Sequence, residues 1–335
     1  MRVIMVGAGA CGARAGRQLV ALEPLDDLVL VDPDRPRAEV VAESLGDPAR
    51  VADEVPSAEP GDVVLLAAPA GQRDLAFAAL VRGAHVVSTA DAVAEVRALL
   101  ELDATARAND AHLVVGAGFA PGLSCVLVAL AARSLEKVDE VHVAKMGTAG
   151  PACARQHHRA LGGQACDWRD GEWAFRSGGS GRELCWFPEP VGAADCYRAA
   201  LPDALLLAPA LPGVRRVTAR LAANRRDRLT ARLPMMRRPH AEGDLGAIRV
   251  EVRGTQGSSL DERVLGAVDR PAVATGAVAA LACRWAAEGR LARTGAAGLA
   301  SLVEPGSFLA ALAERGVKVA VFEGGRHGEP SVPPG

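Results

Sequence analysis

Aromatic residues are scarce in this chain of 335 residues, which has 4 tryptophans, 1 tyrosine and 6 phenylalanines. Hydrophobic residues nevertheless make up 50% of the sequence, so the core must be built from alanine, valine and leucine. The length exceeds that of one typical domain and suits two, each with its own core. Neither positive nor negative side chains are in large excess, because the formal net charge is only −2. This balance gives no bias toward nucleic acid or acidic membranes, so neither is expected as a partner.

Two further absences concern targeting and metals. The sequence has no charged leader with an apolar segment and a cleavage site, because Met1 leads directly into a predicted strand; we therefore expect a cytoplasmic protein. The 7 cysteines form no C-x-x-C pair. This spacing argues against a metal site and predicts free thiols, most of them buried as small hydrophobic residues.

Charged residues are absent from residues 111–132, a run that on length alone suggests a membrane span. Four helix-breaking residues interrupt its middle: Gly116, Gly118, Pro121 and Gly122. They predict a strand, a turn and a helix instead of one continuous helix. We therefore expect no membrane partner.

A glycine-rich turn, Gly7-Ala8-Gly9-Ala10-Cys11-Gly12, follows the first predicted strand. Gly7 permits a tight turn, Gly9 removes a Cβ atom where phosphates approach the main chain, and Gly12 lets the next helix pack closely on the strand. That helix offers free N–H groups and the positive end of its dipole to the phosphates. The pattern predicts a dinucleotide site, with an ordinary structural turn as the alternative.

Asp32 ends the second predicted strand, at the distance from the glycines where an acidic side chain accepts hydrogen bonds from the adenosine ribose. Its carboxylate favours NAD because it repels the 2′-phosphate of NADP. Arg35 and Arg37 follow closely and can offset that repulsion. We predict NAD as the cofactor, with NADP as the alternative.

Strands and helices alternate through the first 135 residues. Apolar strands are predicted at 62–67, 85–88 and 112–115, and helices at 70–81 and 92–109. Alternation of this kind implies parallel strands joined by right-handed crossovers. The sequence therefore predicts an α/β fold with a doubly wound, Rossmann-type parallel sheet over residues 1–135.

A second, α+β domain is predicted for residues 136–269, where the pattern changes. A strand at 138–144 is followed by a Gly/Trp/Arg-rich region, predicted to be irregular, that runs to about residue 212. We interpret the arginines of residues 215–238 as a solvated helix face, not a nucleic-acid surface, because aromatic residues and net positive charge are missing.

The last part of the chain is predicted to return to the first domain. An alanine-rich helix at 272–288 and later helices and a strand to about residue 325 complete the dinucleotide-binding domain in this prediction. The Pro/Gly-rich residues 328–335 are predicted to be disordered.

Ligands of an open parallel sheet bind outside the carboxyl ends of its strands. The predicted cofactor-binding residues are Gly7, Gly9, Ala10, Cys11, Gly12, Asp32, Ala68, Pro69, Ser88, Thr89, Gly116 and Gly118. The loop 116–122 is the predicted neighbour of the nicotinamide, because glycines allow the backbone to approach a cofactor closely. Pro121 is predicted in the first turn of the next helix, and a plain helix start is the alternative for this loop.

Four segments carry a family resemblance. They are Gly7-Ala8-Gly9-Ala10-Cys11-Gly12, Gly118-Phe119-Ala120-Pro121-Gly122-Leu123-Ser124, Phe187-Pro188-Glu189-Pro190-Val191-Gly192 and Val250-Glu251-Val252-Arg253-Gly254. On these segments the sequence resembles the saccharopine dehydrogenase-like family, and more the lysine 6-dehydrogenase-like branch than the glutamate-forming reductases. The resemblance implies an NAD(P)-dependent oxidoreductase that acts on a carbon–nitrogen bond, with a dinucleotide-binding domain, a substrate domain and returning C-terminal helices.

The chain departs from the family at two positions. Ala120 stands where saccharopine reductases usually have Asp, and Cys125 stands where relatives often have Asn. The substrate of the reductases is therefore not carried over to this chain.

Imine reduction needs a proton donor near the nitrogen atom, and histidine serves near neutral pH. His157 and His158 are the leading candidates and Lys145 is the next, with a surface position as the alternative for each. We predict a dehydrogenase or imine reductase for a small amino-acid-like substrate, acting as a homodimer without a metal. The alternatives are a catalytically silent dinucleotide-binding or sensing protein and a carbonyl oxidoreductase.

Overall fold

The computed structural model describes residues 1–22, 24–235 and 238–322. The tail predicted to be disordered, residues 328–335, lies outside them. The described residues form an α/β fold with two β-sheets. One sheet is parallel and the other is mixed.

Seven parallel strands form the first sheet, in the order β15-β6-β5-β4-β1-β2-β3. They are β1 (Arg2–Val6), β2 (Asp27–Val31), β3 (Ala49–Val51), β4 (Val63–Leu66), β5 (His85–Ser88), β6 (His112–Val115) and β15 (Gly295–Ala297). The central strands are apolar along their length because helices cover both faces of the sheet. The strand order reverses between β1 and β4, and this reversal opens a crevice at their carboxyl ends.

Most of the helices pack around this sheet. They are α1 (Ala10–Val20), α2 (Arg35–Leu45), α3 (Gln72–Leu80), α4 (Val93–Leu100), α5 (Asp103–Ala108), α10 (Pro271–Ala287) and α11 (Leu299–Leu302). Helix α6 (Leu123–Ala132) packs against strands of the second sheet, and α12 (Pro305–Ala313) packs on α6 and α10. The helix predicted at 92–109 is two helices, α4 and α5. Asp103 favours a new helix start because its carboxylate lies in the first turn of α5, where it also accepts a hydrogen bond from the backbone of Ala296 (2.8 Å).

Nine strands form the second sheet, in which β7 pairs parallel with β12 and the other pairs are antiparallel. They are β7 (Lys137–Met146), β8 (Gln164–Arg169), β9 (Glu172–Ser177), β10 (Glu183–Trp186), β11 (Ala193–Arg198), β12 (Arg216–Ala222), β13 (Gly246–Gln256), β14 (Ser259–Asp269) and β16 (Val319–Phe322). Its helices are α7 (Pro151–Gly162), α8 (Asp203–Leu207) and α9 (Arg225–Thr230).

One prediction for this part of the chain is wrong, and a second holds only in part. The region up to residue 212 is not irregular, because it contains α7, α8 and four strands. The basic stretch is only in part a solvated helix face: the short helix α9 buries no residue, but β12 is an inner strand whose Arg220 is 6% exposed. Arg220 is tolerated there because Asp167 lies opposite it.

The last part of the chain joins both sheets. Helix α10 packs along α1, as predicted, and Gly276 is the point of closest approach: a Cβ atom there would lie 2.6 Å from the backbone carbon of Arg14. Strand β15 extends the first sheet by pairing with β6. Strand β16 pairs with β14 in the second sheet and so does not complete the first.

Residues 111–132 form β6, a loop and α6, which is the predicted strand, turn and helix. Among the described residues, no helix has the length and apolar character needed to cross a membrane.

Candidate functional site

A groove runs along the carboxyl ends of β1, β2 and β4 and is bordered by the glycine-rich turn. Its volume of about 820 Å³ lies in the range of cofactor sites. Gly7 has a φ of +106°, and a Cβ atom there would lie 2.7 Å from the backbone of Ala67. A Cβ atom at Gly12 would overlap the carbonyl oxygen of Gly7. Only glycine therefore allows β1, the turn and α1 to pack in this way.

Gly9 differs from these two glycines. It is the N-cap of α1, and a Cβ atom added there would meet no atom within 4 Å. The structure thus keeps free space beside the N-terminus of α1, where unpaired backbone N–H groups attract an anion. A pyrophosphate suits this space in size and charge.

Asp32 lies at the far end of the groove, and its side chain is 3% exposed. Its carboxylate accepts hydrogen bonds from the backbone N–H groups of Ala8 (2.6 Å) and Asp34 (2.8 Å) and pairs with Arg37. Burial opposes ionisation, but these three donors together lower the pKa of Asp32 below its usual value. The carboxylate is therefore held ionised at this end of the groove.

The groove opens at its other end into a cavity between the two sheets. The residues that line both are Cys11, Ala67, Ala68, Pro69, Ala149, Ala152 and Cys153. Burial, and then the charge of Asp91, raise the pKa of the Cys11 thiol to about 12. Cys11 is therefore a neutral, apolar part of the wall where groove and cavity meet.

Lys145 carries a buried amino group into this cavity. It lies near the end of β7, is 2% exposed, and donates a hydrogen bond from Nζ to the carbonyl oxygen of Ala120 (2.7 Å). Ala120 belongs to the loop 116–122, so Lys145 connects the second sheet to the end of the first. A buried amine in a cavity of this kind is a typical place for proton transfer or anion binding.

Asp91, Cys153 and His157 form a cluster in the same cavity. Cys153 Sγ lies 3.5 Å from Asp91 Oδ2 and 3.6 Å from His157 Nε2. Burial, and then the charge of Lys145, lower the pKa of His157 well below its usual value. Burial, and then Asp91, raise the pKa of the Cys153 thiol well above its usual value. Both shifts favour the uncharged forms of these groups, an imidazole at His157 and a thiol at Cys153.

The carboxyl of Asp91 is subject to opposing influences. Burial raises its pKa, and Lys145 counteracts only part of that rise. Asp203 contributes to the rise; it is fully buried and accepts a hydrogen bond from Ser124 Oγ (2.9 Å).

The loop 116–122 is hydrogen-bonded to helix α10. Thr275 of α10 accepts a hydrogen bond through Oγ1 from the backbone N–H of Phe119 (3.0 Å). Pro121 does not lie in the first turn of α6 as predicted, because the N-cap is Gly122; the Pro121 carbonyl instead accepts a hydrogen bond from Gly118 (2.9 Å). The loop closes on itself before the helix begins.

The structure brings together most of the predicted site residues. The groove contains Gly7, Gly9, Ala10, Cys11, Asp32, Ala68 and Pro69, and the cavity contains Thr89, Gly118, Lys145 and His157.

Four predicted residues lie outside groove and cavity. Gly12 packs under the turn, Ser88 is fully buried and donates to Gln72 (2.6 Å), and Gly116 packs against Pro121. His158 points away from the cavity, and its Nε2 contacts the carbonyl oxygen of Leu233 (2.9 Å).

Sequence reasoning missed Asp91, Cys153 and Thr275. The spacing of Cys153 and His157, four residues apart, is the signal that was available, because such residues share one face of a helix. Asp91 follows the carboxyl end of β5 by three residues, which is the edge where ligands bind.

No protein-family model and no curated protein matches this sequence. Among solved structures, the chain is similar to saccharopine dehydrogenase (L-Glu forming) from Saccharomyces cerevisiae, with a TM-score of 0.70 and 14% identity over 96% of this chain and 100% of that chain. At this identity the similarity shows the fold. The chain therefore shares the fold of that saccharopine dehydrogenase.

Other solved structures are less similar to this chain, with TM-scores below 0.5. GenD2 from gentamicin A biosynthesis, in complex with NAD, has a TM-score of 0.44 and 14% identity over 97% of each chain. DAP dehydrogenase from C. glutamicum, in complex with DAP, has a TM-score of 0.42 and 16% identity over 92% of this chain and 95% of that chain.

Proposed function

We propose that this protein is an NAD(P)-dependent oxidoreductase that acts on the carbon–nitrogen bond of a small amino-acid-like substrate. The observation that carries the proposal is the continuity of groove and cavity, which joins the glycine-rich turn to the buried amine of Lys145. That this chain belongs to the lysine 6-dehydrogenase-like branch remains a prediction from the sequence.

The groove suits a dinucleotide along its whole length. Asp32 would accept hydrogen bonds from the adenosine ribose, and the free space at Gly9 would take the pyrophosphate at the N-terminus of α1. The nicotinamide would then lie where groove and cavity meet, and when bound it would supply or accept a hydride. Thr89 and Gly118 line that end of the site.

Lys145 is our candidate proton donor for imine reduction. Its ammonium group can protonate the imine nitrogen, which makes the adjacent carbon the acceptor of a hydride and leaves an amine as the product. In the opposite direction the neutral Lys145 amine takes the proton from the substrate ammonium. The lowered pKa of His157 favours its neutral imidazole, which is a weaker acid than an ammonium group, so we prefer Lys145 for this step.

Arg159 is our candidate partner for a substrate carboxylate. It lines the cavity from α7, two residues beyond His157, is exposed, and donates a hydrogen bond to Gln156 (3.3 Å). An arginine there can bind a carboxylate through two parallel hydrogen bonds. This contact would hold an amino-acid-like substrate with its nitrogen toward Lys145.

Single-turnover reduction tests the proposal. A panel of cyclic and open-chain imino acids is mixed with protein and NADH or NADPH, and loss of reduced cofactor is followed by absorbance. We expect at least one imino acid to be reduced. The Lys145→Met variant should still bind the cofactor but reduce that substrate about 10²- to 10⁴-fold more slowly, which is the usual contribution of general acid catalysis.

Lys137→Met is the matched control, because Lys137 lies at the exposed start of β7 and pairs with Asp139 (2.5 Å). It should reduce the substrate at the rate of the unaltered protein. Cofactor binding without turnover across the panel would contradict an enzyme and would favour a silent dinucleotide-binding protein. Turnover of carbonyl compounds alone would favour a carbonyl oxidoreductase.

A further inference from the structure

The donor atoms of Asp91, Cys153 and His157 form a nearly equilateral triangle. Cys153 Sγ lies 3.5 Å from Asp91 Oδ2 and 3.6 Å from His157 Nε2, and the last two atoms are 3.7 Å apart. Zinc bonds of about 2.0–2.3 Å at tetrahedral angles hold neighbouring donor atoms about 3.3–3.6 Å apart. One ion can therefore bind all three atoms with little movement of the side chains.

Two separate parts of the fold build this triangle. Cys153 and His157 are four residues apart on α7 and so face the same side of the helix. Asp91 comes from the loop that follows β5 in the first sheet. The i, i+4 pair fixes two donors on one rigid helix, and the third donor completes the set across the cavity.

The donor types match a borderline-soft dication. Thiolate, imidazole and carboxylate are the three groups that bind zinc in proteins. One thiolate and one carboxylate also balance the two positive charges of the ion, so that the metal-bound site carries no net charge beside the buried Lys145. The three groups line the cavity, and the fourth position of a tetrahedral ion would face it.

We propose that Asp91, Cys153 and His157 bind a zinc-class divalent metal ion whose fourth ligand comes from the cavity. Three protein ligands with one open position are typical of catalytic zinc sites, whereas structural sites use four protein ligands. The open position would take water or a nitrogen or oxygen atom of a bound molecule. The lack of C-x-x-C pairs had argued against a metal site in the sequence. That argument does not apply to this site, because it uses a single cysteine and a histidine one helical turn later.

Metal titration of the full-length, reduced protein tests the site without cofactor or substrate, so its outcome is independent of the proposed function. Co²⁺ should bind with one equivalent and produce a thiolate-to-cobalt charge-transfer absorption, and Zn²⁺ should displace it. Cys153→Ala should abolish that absorption. His157→Gln and Asp91→Asn should each weaken Zn²⁺ binding by about 100-fold or more, because each removes one of three donors.

His158→Gln and Cys166→Ala are the matched controls. His158 is the next residue on α7 but contacts Leu233 outside the cavity, and Cys166 is a buried thiol beside Arg97. Both variants should bind one equivalent of Zn²⁺ as tightly as the unaltered protein. Binding that survives both Cys153→Ala and His157→Gln, or no stoichiometric binding at all, would overturn the proposal in favour of a hydrogen-bonded triad without metal.

A second measurement needs no variant and covers the case in which a substitution prevents folding. The unaltered protein is alkylated with and without Zn²⁺, and the modified cysteines are located by mass spectrometry. Zn²⁺ should slow the alkylation of Cys153 at least tenfold and leave Cys166 unaffected. Equal alkylation of Cys153 in both samples would contradict the site.

Discussion

Gly9→Val is the sharpest test of the cofactor groove, because the structure separates its effect on binding from its effect on folding. Gly9 has the extended backbone conformation that any residue adopts, with a φ of −71° and a ψ of −168°. A Cβ atom there meets no protein atom within 4 Å. We therefore expect the variant to fold, with a loss of at most about 1 kcal/mol from replacing a favourable N-cap residue.

The loss in cofactor affinity should be much larger. The valine side chain would fill the space beside the N-terminus of α1 and keep the pyrophosphate away from the backbone N–H groups. A hydrogen bond to a charged group contributes about 1.5–3 kcal/mol, so the loss of two such bonds weakens binding by about 3–6 kcal/mol. This corresponds to an increase in Kd of about 10²- to 10⁴-fold.

NADH fluorescence titration measures the affinity, and thermal unfolding measures the stability of the same samples. Gly12→Ala provides the opposite control, since its Cβ atom would overlap the Gly7 carbonyl and destabilise the fold by about 1–3 kcal/mol or more. Unchanged NADH affinity in a folded Gly9→Val variant would refute the placement of the cofactor.

Three further predictions follow from other parts of the structure. Asp32→Ala should weaken NADH binding and leave NADPH binding equal or tighter in fluorescence titrations, because the carboxylate serves the ribose and repels a 2′-phosphate; a strong preference of the unaltered protein for NADPH would contradict this. Truncation after Arg270 should lower the urea midpoint of unfolding for the first sheet, because α10 covers α1; equal stability of residues 1–135 alone would contradict it. Burial, and then His112, lower the pKa of His85 to about 4 from 6.5, so the unfolded chain takes up a proton first as the pH falls. Stability should therefore decrease by about 1–2 kcal/mol between pH 6.5 and 4 after allowance for solvent screening, and His85→Gln should remove that decrease in urea titrations at each pH.

The first sheet was predictable because its signals are local. The glycine spacing of the turn at 7–12 is a local sequence pattern, and Gly12 is required by its contact with the Gly7 carbonyl five residues earlier. Asp32 follows at a spacing that one βαβ unit fixes. The return of α10 was also predictable, since a helix so rich in alanine must be covered. The break between α4 and α5 was not, because it depends on the contact of Asp103 with a strand far along the chain.

The chemistry of the cavity was only partly predictable. Lys145 and His157 were candidates, and the spacing of four residues from Cys153 is a weak local signal that favours His157 over His158. The packing of α7 makes that distinction, since it turns one imidazole toward the cavity and the other toward Leu233. Asp91 and Cys153 are 62 residues apart and meet only through the contact of the two sheets. A sequence read segment by segment carries no such information.

The late arrival of two edge strands sets the order in which this protein can fold during synthesis. Strand β15 completes the first sheet and β16 completes the second, and both belong to the final part of the described chain. A ribosome-bound chain that already includes β1 to β14 therefore exposes an unpaired edge on each sheet, at β6 and at β14. Such edges are open to pairing with other chains until residues 295–322 emerge. Protection by a chaperone should therefore matter most in the last stage of translation.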